Sequence, residues 1–406
     1  MNFTFDFYST LLILVFVLLL GMFVIKKIKF LQDYNIPEPV VGGLIFALGF
    51  LVLHQIFGAN FKFDDDLKDP LMLSFYASVG LLADFSSFKK GGKRLFVFLI
   101  VISVLLVLQN IAGIGVALAL GENPLIGLLS GSITMSGGHG TGAAWASEFV
   151  KAPYSFASSL EVAMASATFG LVAGGLIGGP VARYLIKKHR LQTPQNAATE
   201  GEGEPMTHFE EPQKERLITQ ISFIQSLALI ACCLWLGTEI ARFVKASVTG
   251  FTLPTFVYCL VVGIVLRNVL SLSGVFKVFD REVSILGNVS LSLFLAFSLM
   301  TINLWQLVSL ALPLFLTLLV QVVLMVLFAV YVTFRFCGAN YDAAVLSAGH
   351  CGFGLGATPT AMANMQAVTA HYGASHMAFI IVPLCGAFFI DLINAVVINL
   401  FLNVLG

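Results

Sequence analysis

The chain has 406 residues, of which 58% are hydrophobic and only 11% are charged, and its mean hydropathy is +0.93. Soluble domains are about half apolar and about a quarter charged, so this composition excludes an ordinary soluble fold and indicates a membrane protein. The formal charge of zero gives no sign of a nucleic-acid partner, and the six cysteines include no CxxC pair typical of a zinc or redox site.

The hydropathy pattern predicts an all-α polytopic membrane protein with about ten transmembrane helices. A helix needs about 20 apolar residues to cross a bilayer core, and ten runs have roughly that length. In chain order the predicted spans are 8–25, 36–57, 70–87, 95–120, 157–185, 217–243, 252–270, 285–303, 308–335 and 376–403. Two further segments, 124–147 and 342–366, are moderately apolar but rich in glycine and polar residues.

The spans fall into two groups of five that follow the same order. We expect an N-terminal repeat over 1–185, a cytoplasmic linker over 186–215 and a C-terminal repeat over 216–406. The pattern GxGxGA occurs between the fourth and fifth span of each group, as GHGTGA at 138–143 and GFGLGA at 352–357. A short glycine pattern is weak evidence alone, but its matching place in a matching order of spans indicates a duplication.

The distribution of basic residues predicts how the spans are oriented. Lys and Arg collect in cytoplasmic loops, and most of the 22 present fall on the face that also holds the linker. The later basic residues stay on the cytoplasmic face only if segment 124–147 enters the membrane from outside and returns to the outside. By repeat symmetry, segment 342–366 is then a re-entrant hairpin from the cytoplasm. Inverted repeats whose broken segments meet near the midplane are typical of secondary transporters.

The two glycine-rich tips predict a place where backbone polar groups meet a ligand. The N–H and C=O groups of irregular backbone at membrane depth need hydrogen-bond partners from the protein or from a water-filled cavity. We expect the glycines spaced by two to form turns rather than helix faces, and the helices that follow to offer N–H groups to an anion. The predicted substrate contacts are Ser136, Gly137, Gly138, His139, Gly140, Thr141, His350, Gly352, Gly354, Thr358, Thr360, Asn364 and Asp391. The predicted cation contacts, for sodium at the same tips, are Ser132, Thr134, Gly356, Glu161 and Asn110.

Ionisable residues deep in the predicted spans are few. Asp391 lies near the middle of the last span, where a charge costs about 2.5–3.5 kcal/mol on insertion scales, so we expect it to bind a cation or an ammonium group. The alternative is a carboxyl paired with a neighbouring Asn or Ser for packing alone. For His139 and His350, ligand contact and plain structural hydrogen bonding both stay open. The middle thirds of the spans hold no Lys or Arg, so an anion would depend on helix N-termini and a co-transported cation.

Several long segments carry a family resemblance. They are IPEPVVGGL, DPLMLSFYASVGL, GSITMSGGHGTGAAW, GGLIGGPVARYL, LGNVSLSLFLA, NYDAAVLSAGHCGFGLGATPTAMANMQA and GAFFIDLINA. Together they resemble the sodium/glutamate symporter family of bacterial inner membranes, from about residue 8 to the end of the chain. The family's GGxG signature falls on residues 137–140, whereas the corresponding residues 351–354 read CGFG, so that the first glycine is replaced by Cys351.

The resemblance implies sodium-driven uptake of L-glutamate by an elevator-type movement within a homodimer. It also places the protein in the bacterial inner membrane, in contact with lipid. The distribution of basic residues puts both termini outside, which is then the periplasm. We expect no cofactor, no enzymatic activity and no nucleic-acid partner. From the residues alone, transport of another small carboxylate stays open. An ion channel with glycine-rich pore loops also stays open, although no TVGYG-like filter is present. An intramembrane enzyme has less support because no nucleophile–base or metal-ligand spacing occurs.

Overall fold

The computed structural model describes residues 2–34, 36–85, 88–194, 217–247, 253–274, 276–302 and 307–405. Within these ranges the chain is almost entirely helical, and the only strands are β1 (Asn2–Thr4) and β2 (Asn60–Lys62), which pair in parallel. Residues 195–215 of the predicted linker lie outside the described residues, so most of the linker stays a prediction.

The helices divide into those before and those after the linker. The first set is α1 (Phe7–Ile25), α2 (Lys29–Asp33), α3 (Glu38–Phe57), α4 (Lys68–Leu82), α5 (Phe88–Ala119), α6 (Pro124–Leu128), α7 (Gly138–Phe149) and α8 (Ser159–His189). The second set is α9 (Gln220–Ser247), α10 (Thr255–Ser273), α11 (Asp280–Met300), α12 (Leu307–Phe328), α13 (Tyr341–Leu355), α14 (Thr358–Tyr372), α15 (His376–Leu384) and α16 (Ile390–Leu405). Turns of π-helix follow α6, α12 and α15, at Leu129–Ile133, Ala329–Thr333 and Cys385–Phe389.

Eight helices in the described ranges are long and apolar enough to cross a bilayer, which confirms a polytopic membrane protein. Two of the ten predicted spans differ from the prediction. The span predicted at 70–87 is the 15-residue α4, about 22 Å long at 1.5 Å per residue, which is short of the roughly 30 Å of a bilayer core. The span predicted at 376–403 is divided into α15 and α16, because Pro383 has no N–H and a π turn follows it.

The helices pack as two bundles. The first bundle, here called the outer bundle, contains α1, α3, α4, α9, α10 and α11, with α4 packed between α10 and α11. The second, the inner bundle, contains α5 to α8 and α12 to α16, with α13 packed closely on α8 and α14. The bundles meet where α11 contacts α7 and where α4 contacts the π turn Cys385–Phe389. This interface positions the candidate site.

Small residues on α8 let the inner bundle pack closely. A Cβ built on Gly174 would lie 3.0 Å from the carbonyl oxygen of Cys351, and one on Gly178 would lie 2.2 Å from Nδ2 of Asn364. Asn364 is buried and donates from Nδ2 to the carbonyl oxygen of Gly174 at 2.9 Å. The backbone of α8 therefore approaches α13 and α14 without intervening side chains, and Asn364 joins α14 to α8.

We expect Gly178→Ala to destabilise the protein by about 1–3 kcal/mol, the usual cost of overpacking a close-packed contact. The new methyl group would displace the Asn364 side chain and break its hydrogen bond to Gly174. The matched control is Gly179→Ala, because a Cβ at Gly179 meets nothing within 4 Å. Thermal unfolding in detergent should show a lower Tm for the Gly178 variant alone, and equal Tm values would contradict this packing.

Candidate functional site

A cavity of about 330 Å³ lies between the two bundles, and both of the predicted hairpin segments reach it. Its wall is formed by the start of α3, by α4 and α11, by the segments around residues 134–141 and 353–359, and by the start of α16. Of the predicted substrate contacts, the cavity is lined by Ser136, Gly137, Gly138, His139, Gly140, Thr141, Thr358 and Asp391. Ligand pockets commonly begin at about 300 Å³, so the volume suits one small molecule.

The first helix break lies between the π turn Leu129–Ile133 and α7. Gly131 has non-helical angles (φ −90°, ψ −136°), and Gly138, the first residue of α7, has φ +68° in the left-handed region that favours glycine. Gly137 precedes α7 without a side-chain cap, and the first turn of α7, whose N–H groups have no partner within the helix, lines the cavity. The start of α7 is therefore suited to bind an anion.

The second helix break lies between α13 and α14. Gly356 leaves the helical region with φ −145° and ψ −99°, and Ala357 is extended before α14 begins at Thr358. No side chain caps this helix start either, and Pro359 in its first turn has no N–H to satisfy. Two uncapped helix N-termini thus reach one cavity, and both carry the positive end of a helix dipole.

The prediction that the GxGxGA glycines form turns is correct for one glycine of each motif and wrong for the others. Gly138, with φ +68°, and Gly356 lie at the breaks. Gly140 and Gly142 instead lie within α7, and Gly352 and Gly354 lie in the last turns of α13. Tertiary packing explains why these glycines are helical. A Cβ on Gly352 would lie 2.4 Å from the Cα of Ala361 on α14, and one on Gly140 would lie 3.0 Å from the Leu291 side chain of α11. The actual breaks lie at the start of the first motif and at the end of the second.

The two breaks touch each other. A Cβ built on Gly138 would lie only 3.2 Å from the carbonyl oxygen of Gly356. Gln109 on α5 also joins them, because its Nε2 donates to the carbonyl oxygen of Gly354 at 2.7 Å and its Oε1 accepts from Ser136 Oγ at 2.7 Å. Gln109 is fully buried. Ser136 Oγ also donates directly to the carbonyl oxygen of Gly354 at 3.3 Å, so the breaks are joined both directly and through Gln109.

We expect Gln109→Ala to lower kcat/KM for transport by at least about tenfold and to lower the Tm. Each buried polar group that loses its partner costs about 1–3 kcal/mol, and the substitution removes partners from Ser136 and from Gly354. The exposed Gln55 on α3 offers a matched control, Gln55→Ala. Uptake by Gln109→Ala equal to that of the control would show that this link is dispensable.

Asp391 lies at the start of α16 and takes part in a hydrogen-bonded chain across the bundle interface. Thr141 Oγ1 donates to Asp391 Oδ1 at 3.1 Å, and the hydroxyl of Tyr76 donates to Thr141 Oγ1 at 3.1 Å. Tyr76 belongs to α4 of the outer bundle, whereas Thr141 and Asp391 belong to the inner bundle. The cavity is lined by two carboxylates, Asp391 and Glu38, and by no Lys or Arg among the residues that the structure describes.

The two predicted histidines have different surroundings. His139 lines the cavity, and its Nε2 lies 3.1 Å from Thr168 Oγ1. His350 is fully buried outside the cavity lining, where its Nδ1 lies 2.9 Å from Thr333 Oγ1 and the rings of Phe98 and Phe353 pack on it. The position of His139 favours ligand contact, and the position of His350 favours a packing role.

Other predicted substrate contacts lie behind the cavity wall. Gly352, Gly354, Thr360 and Asn364 are absent from the lining. Gly352, Thr360 and Asn364 lie in the contacts among α8, α13 and α14, whereas Gly354 faces α5 and α12. Thr360 is 2% exposed and its Oγ1 has no hydrogen-bond partner among the described residues. These residues support the second break without forming the cavity surface.

The predicted cation contacts are distributed over both breaks and α8. Asn110 Oδ1 accepts from the backbone N–H of Ser132 at 2.9 Å, and Thr134 Oγ1 donates to the carbonyl oxygen of Leu129 at 2.6 Å. Gly356 lines the cavity. Glu161 is buried in the first turn of α8, outside the cavity lining. No group of three His, Cys, Asp or Glu side chains comes together in the described parts of the chain, so a cation near the breaks would take mainly neutral oxygen ligands.

Some outer-bundle residues at the cavity were not predicted, namely Phe75 and Leu291 in its wall and Tyr76, which donates to the lining residue Thr141. Their apolar and aromatic surroundings resemble any span, so hydropathy could not single them out. Two buried amides, Gln321 and Asn394, were not predicted either, and each donates to a backbone carbonyl oxygen of another segment. Polar side chains at membrane depth are uncommon and often functional, so the sequence could mark both as candidates, but it could not give their partners.

The sequence of the chain matches known proteins over most of its length. Residues 3–374 match the sequence profile described as sodium/glutamate symporter. The chain belongs to the sodium/glutamate symporter family. It is 55% identical over 397 residues to the sodium/glutamate symporter of Escherichia coli (strain K12). The aligned region covers 98% of this chain and 97% of that protein. It is 49% identical over 400 residues to the sodium/glutamate symporter of Haemophilus influenzae, with 98% of each chain covered. The names of these symporters describe transporters rather than enzymes.

Proposed function

We propose that this member of the symporter family carries L-glutamate inward together with sodium, and that the cavity between the bundles holds the substrate. The observation that carries the proposal is the meeting of two uncapped helix N-termini and one carboxylate at a single cavity. An amino acid with two carboxylates needs two anion sites and one partner for its ammonium group. The starts of α7 and α14 supply the first two, and Asp391 supplies the third.

Sodium is proposed to make this binding favourable. The lining carboxylates Asp391 and Glu38 repel an anionic substrate, and no Lys or Arg among the described lining residues offsets them. A cation near Ser132, Asn110, Thr134, Gly356 or Glu161 would raise the local positive potential and order the breaks. Without sodium, glutamate would therefore bind weakly, and with sodium it would bind more tightly. This dependence is a physical basis for coupled transport.

Alternating access by an elevator-type movement is proposed from the division into bundles. Each half contributes three helices to the outer bundle. Each half also contributes to the inner bundle a long helix, a broken pair of helices and one further helical segment. This order supports two inverted five-helix repeats whose broken pairs are re-entrant hairpins, from outside at 124–147 and from the cytoplasm at 342–366. We further propose a homodimer in the bacterial inner membrane with both termini in the periplasm.

Two alternatives remain distinguishable by experiment. A transporter of another small carboxylate would use the same N-termini without needing Asp391 for an ammonium group. A channel would conduct ions through a continuous open path, whereas the breaks here touch each other between Gly138 and Gly356. The contact favours a carrier over a channel.

The proposed function is tested with purified protein in liposomes. Labelled glutamate is offered with an inward sodium gradient, and separately with a proton gradient without sodium. We expect accumulation above equilibrium with sodium alone, inhibited by excess L-glutamate and unaffected by citrate. Accumulation with protons alone would overturn the coupling, and accumulation of citrate in place of glutamate would overturn the substrate.

The opposed hairpins are tested by labelling with a membrane-impermeant thiol reagent. Glu122 precedes the first broken pair, and the exposed Arg335 precedes the second. In a variant that lacks the exposed Cys232, we expect Glu122→Cys to be labelled in cells whose outer membrane is permeabilised. Arg335→Cys should be labelled only after the inner membrane is opened. Labelling of both positions from the same side would contradict opposed insertion.

A further inference from the structure

Two amide side chains hold the buried π turn that precedes α7. The backbone N–H of Ser132 donates to Asn110 Oδ1 at 2.9 Å, and Asn394 Nδ2 on α16 donates to the carbonyl oxygen of Ser132 at 2.9 Å. Ser132, Asn110 and Asn394 are each fully buried. These bonds fix the orientation of both amides, because the N–H of Ser132 needs an amide oxygen and the carbonyl oxygen of Ser132 needs an amide NH₂ group.

Two oxygen atoms beside this turn are left without partners. Ser132 Oγ and Asn394 Oδ1 are buried and make no hydrogen bond within the part of the chain that the structure describes, and the same holds for one donor at the turn, Asn110 Nδ2. Neighbouring hydroxyls on the same turn are satisfied, since Ser130 Oγ donates to the carbonyl oxygen of Ile126 and Thr134 Oγ1 donates to that of Leu129. Buried polar atoms are rarely left unpaired, so the two free oxygens point to a missing ligand.

The electrostatic surroundings of these oxygens favour a cation. The helical segment Pro124–Ile133 ends at this turn, and the C-terminal end of a helix carries partial negative charge. Asp391 lies three residues before Asn394 on α16, so its carboxylate lies on the adjacent helical turn. Small hard cations take oxygen ligands, and unwound segments and helix C-termini hold coupling sodium ions in transporters.

We propose that a sodium ion of the symport is bound at this turn, with Ser132 Oγ and Asn394 Oδ1 among its ligands. The inference rests on the proposed sodium coupling and adds the atoms that bind the ion. It also explains how the ion affects the substrate. The carbonyl oxygen of Ser132, held by Asn394, accepts from the N–H of Gly137 at 3.1 Å, directly before the anion-binding start of α7. Sodium binding therefore orders the break that receives glutamate.

The test compares Ser132→Ala with the matched control Ser130→Ala. Ser132 Oγ makes no hydrogen bond among the described residues, so its removal breaks no such hydrogen bond, whereas Ser130 lies on the same turn with its hydroxyl satisfied. Thermal unfolding of the full-length protein is followed as NaCl replaces choline chloride, without glutamate. We expect the sodium concentration for half-maximal stabilisation to rise at least tenfold in Ser132→Ala and to match wild type in Ser130→Ala.

A second readout separates this inference from the proposed function. In liposomes, the sodium concentration for half-maximal glutamate uptake should rise in Ser132→Ala by the same factor, with unchanged glutamate affinity at saturating sodium. An unchanged sodium dependence in both assays would overturn the site and assign the free oxygens to a buried water. Failure of the wild-type protein to couple glutamate to sodium would overturn the function instead, whatever the unfolding data show for Ser132.

Discussion

Asp391→Asn is expected to lower kcat/KM for glutamate uptake at saturating sodium by at least about 30-fold. Asp391 is the carboxylate of the inner bundle that lines the cavity, and Thr141 holds its Oδ1 at 3.1 Å. The neutral amide keeps the shape but cannot pair with the ammonium group of the substrate. Breaking a buried, hydrogen-bonded charge pair costs about 2–5 kcal/mol, and 1.4 kcal/mol corresponds to a factor of ten.

The control for this prediction is Asp33→Asn, because Asp33 is exposed at the end of α2 and is not part of the cavity lining. Both variants should show wild-type Tm values, so that any loss of uptake reports binding rather than folding. Uptake by Asp391→Asn within twofold of the control would remove Asp391 from the substrate site. A loss that excess sodium restores would instead assign the carboxylate to the cation alone.

Gly138→Ala is expected to lower uptake by at least about tenfold. Gly138 has φ +68°, a conformation that costs an L-residue roughly 1–2 kcal/mol. Its new methyl group would also lie 3.2 Å from the carbonyl oxygen of Gly356, a distance that forces one break to move. The first N–H groups of α7 would then shift from the positions in which they bind an anion.

Gly115→Ala is the matched control, because Gly115 lies within α5 and a Cβ there meets nothing within 4 Å. The glutamate KM and the Tm of both variants are measured in parallel. We expect a raised KM for Gly138→Ala and a small change in its Tm, because the strain is local to the cavity. Normal KM for this variant would mean that the contact between the breaks does not shape the site.

The sequence predicted the breaks within the correct segments, but only some of the motif glycines lie at them. Gly140, Gly142, Gly352 and Gly354 disfavour helix by intrinsic propensity, yet close contacts such as that between Gly352 and Ala361 stabilise helix there. Propensity is local, and the packing that overrides it depends on which helices become neighbours. The positive φ of Gly138 could not be distinguished from the ordinary angles of the nearby glycines by composition alone.

The candidate site shows a similar division between local and tertiary information. Asp391 was predictable because a lone carboxylate in an apolar span has a high free-energy cost. The roles of Tyr76 and Asn394 were not, since each depends on a contact across the fold, with Thr141 and with the carbonyl oxygen of Ser132. His350 was attractive in sequence because it adjoins a glycine motif, but the helix turn directs it among aromatic rings.

The most direct test of the proposed glutamate site is a cryo-EM map of the protein in lipid nanodiscs with sodium and L-glutamate. We expect density for glutamate in the cavity between the bundles. Its carboxylates should lie about 3 Å from N–H groups at the starts of α7 and α14, and its ammonium group should lie beside Asp391. Glutamate bound elsewhere, with both helix starts capped by protein side chains, would contradict it.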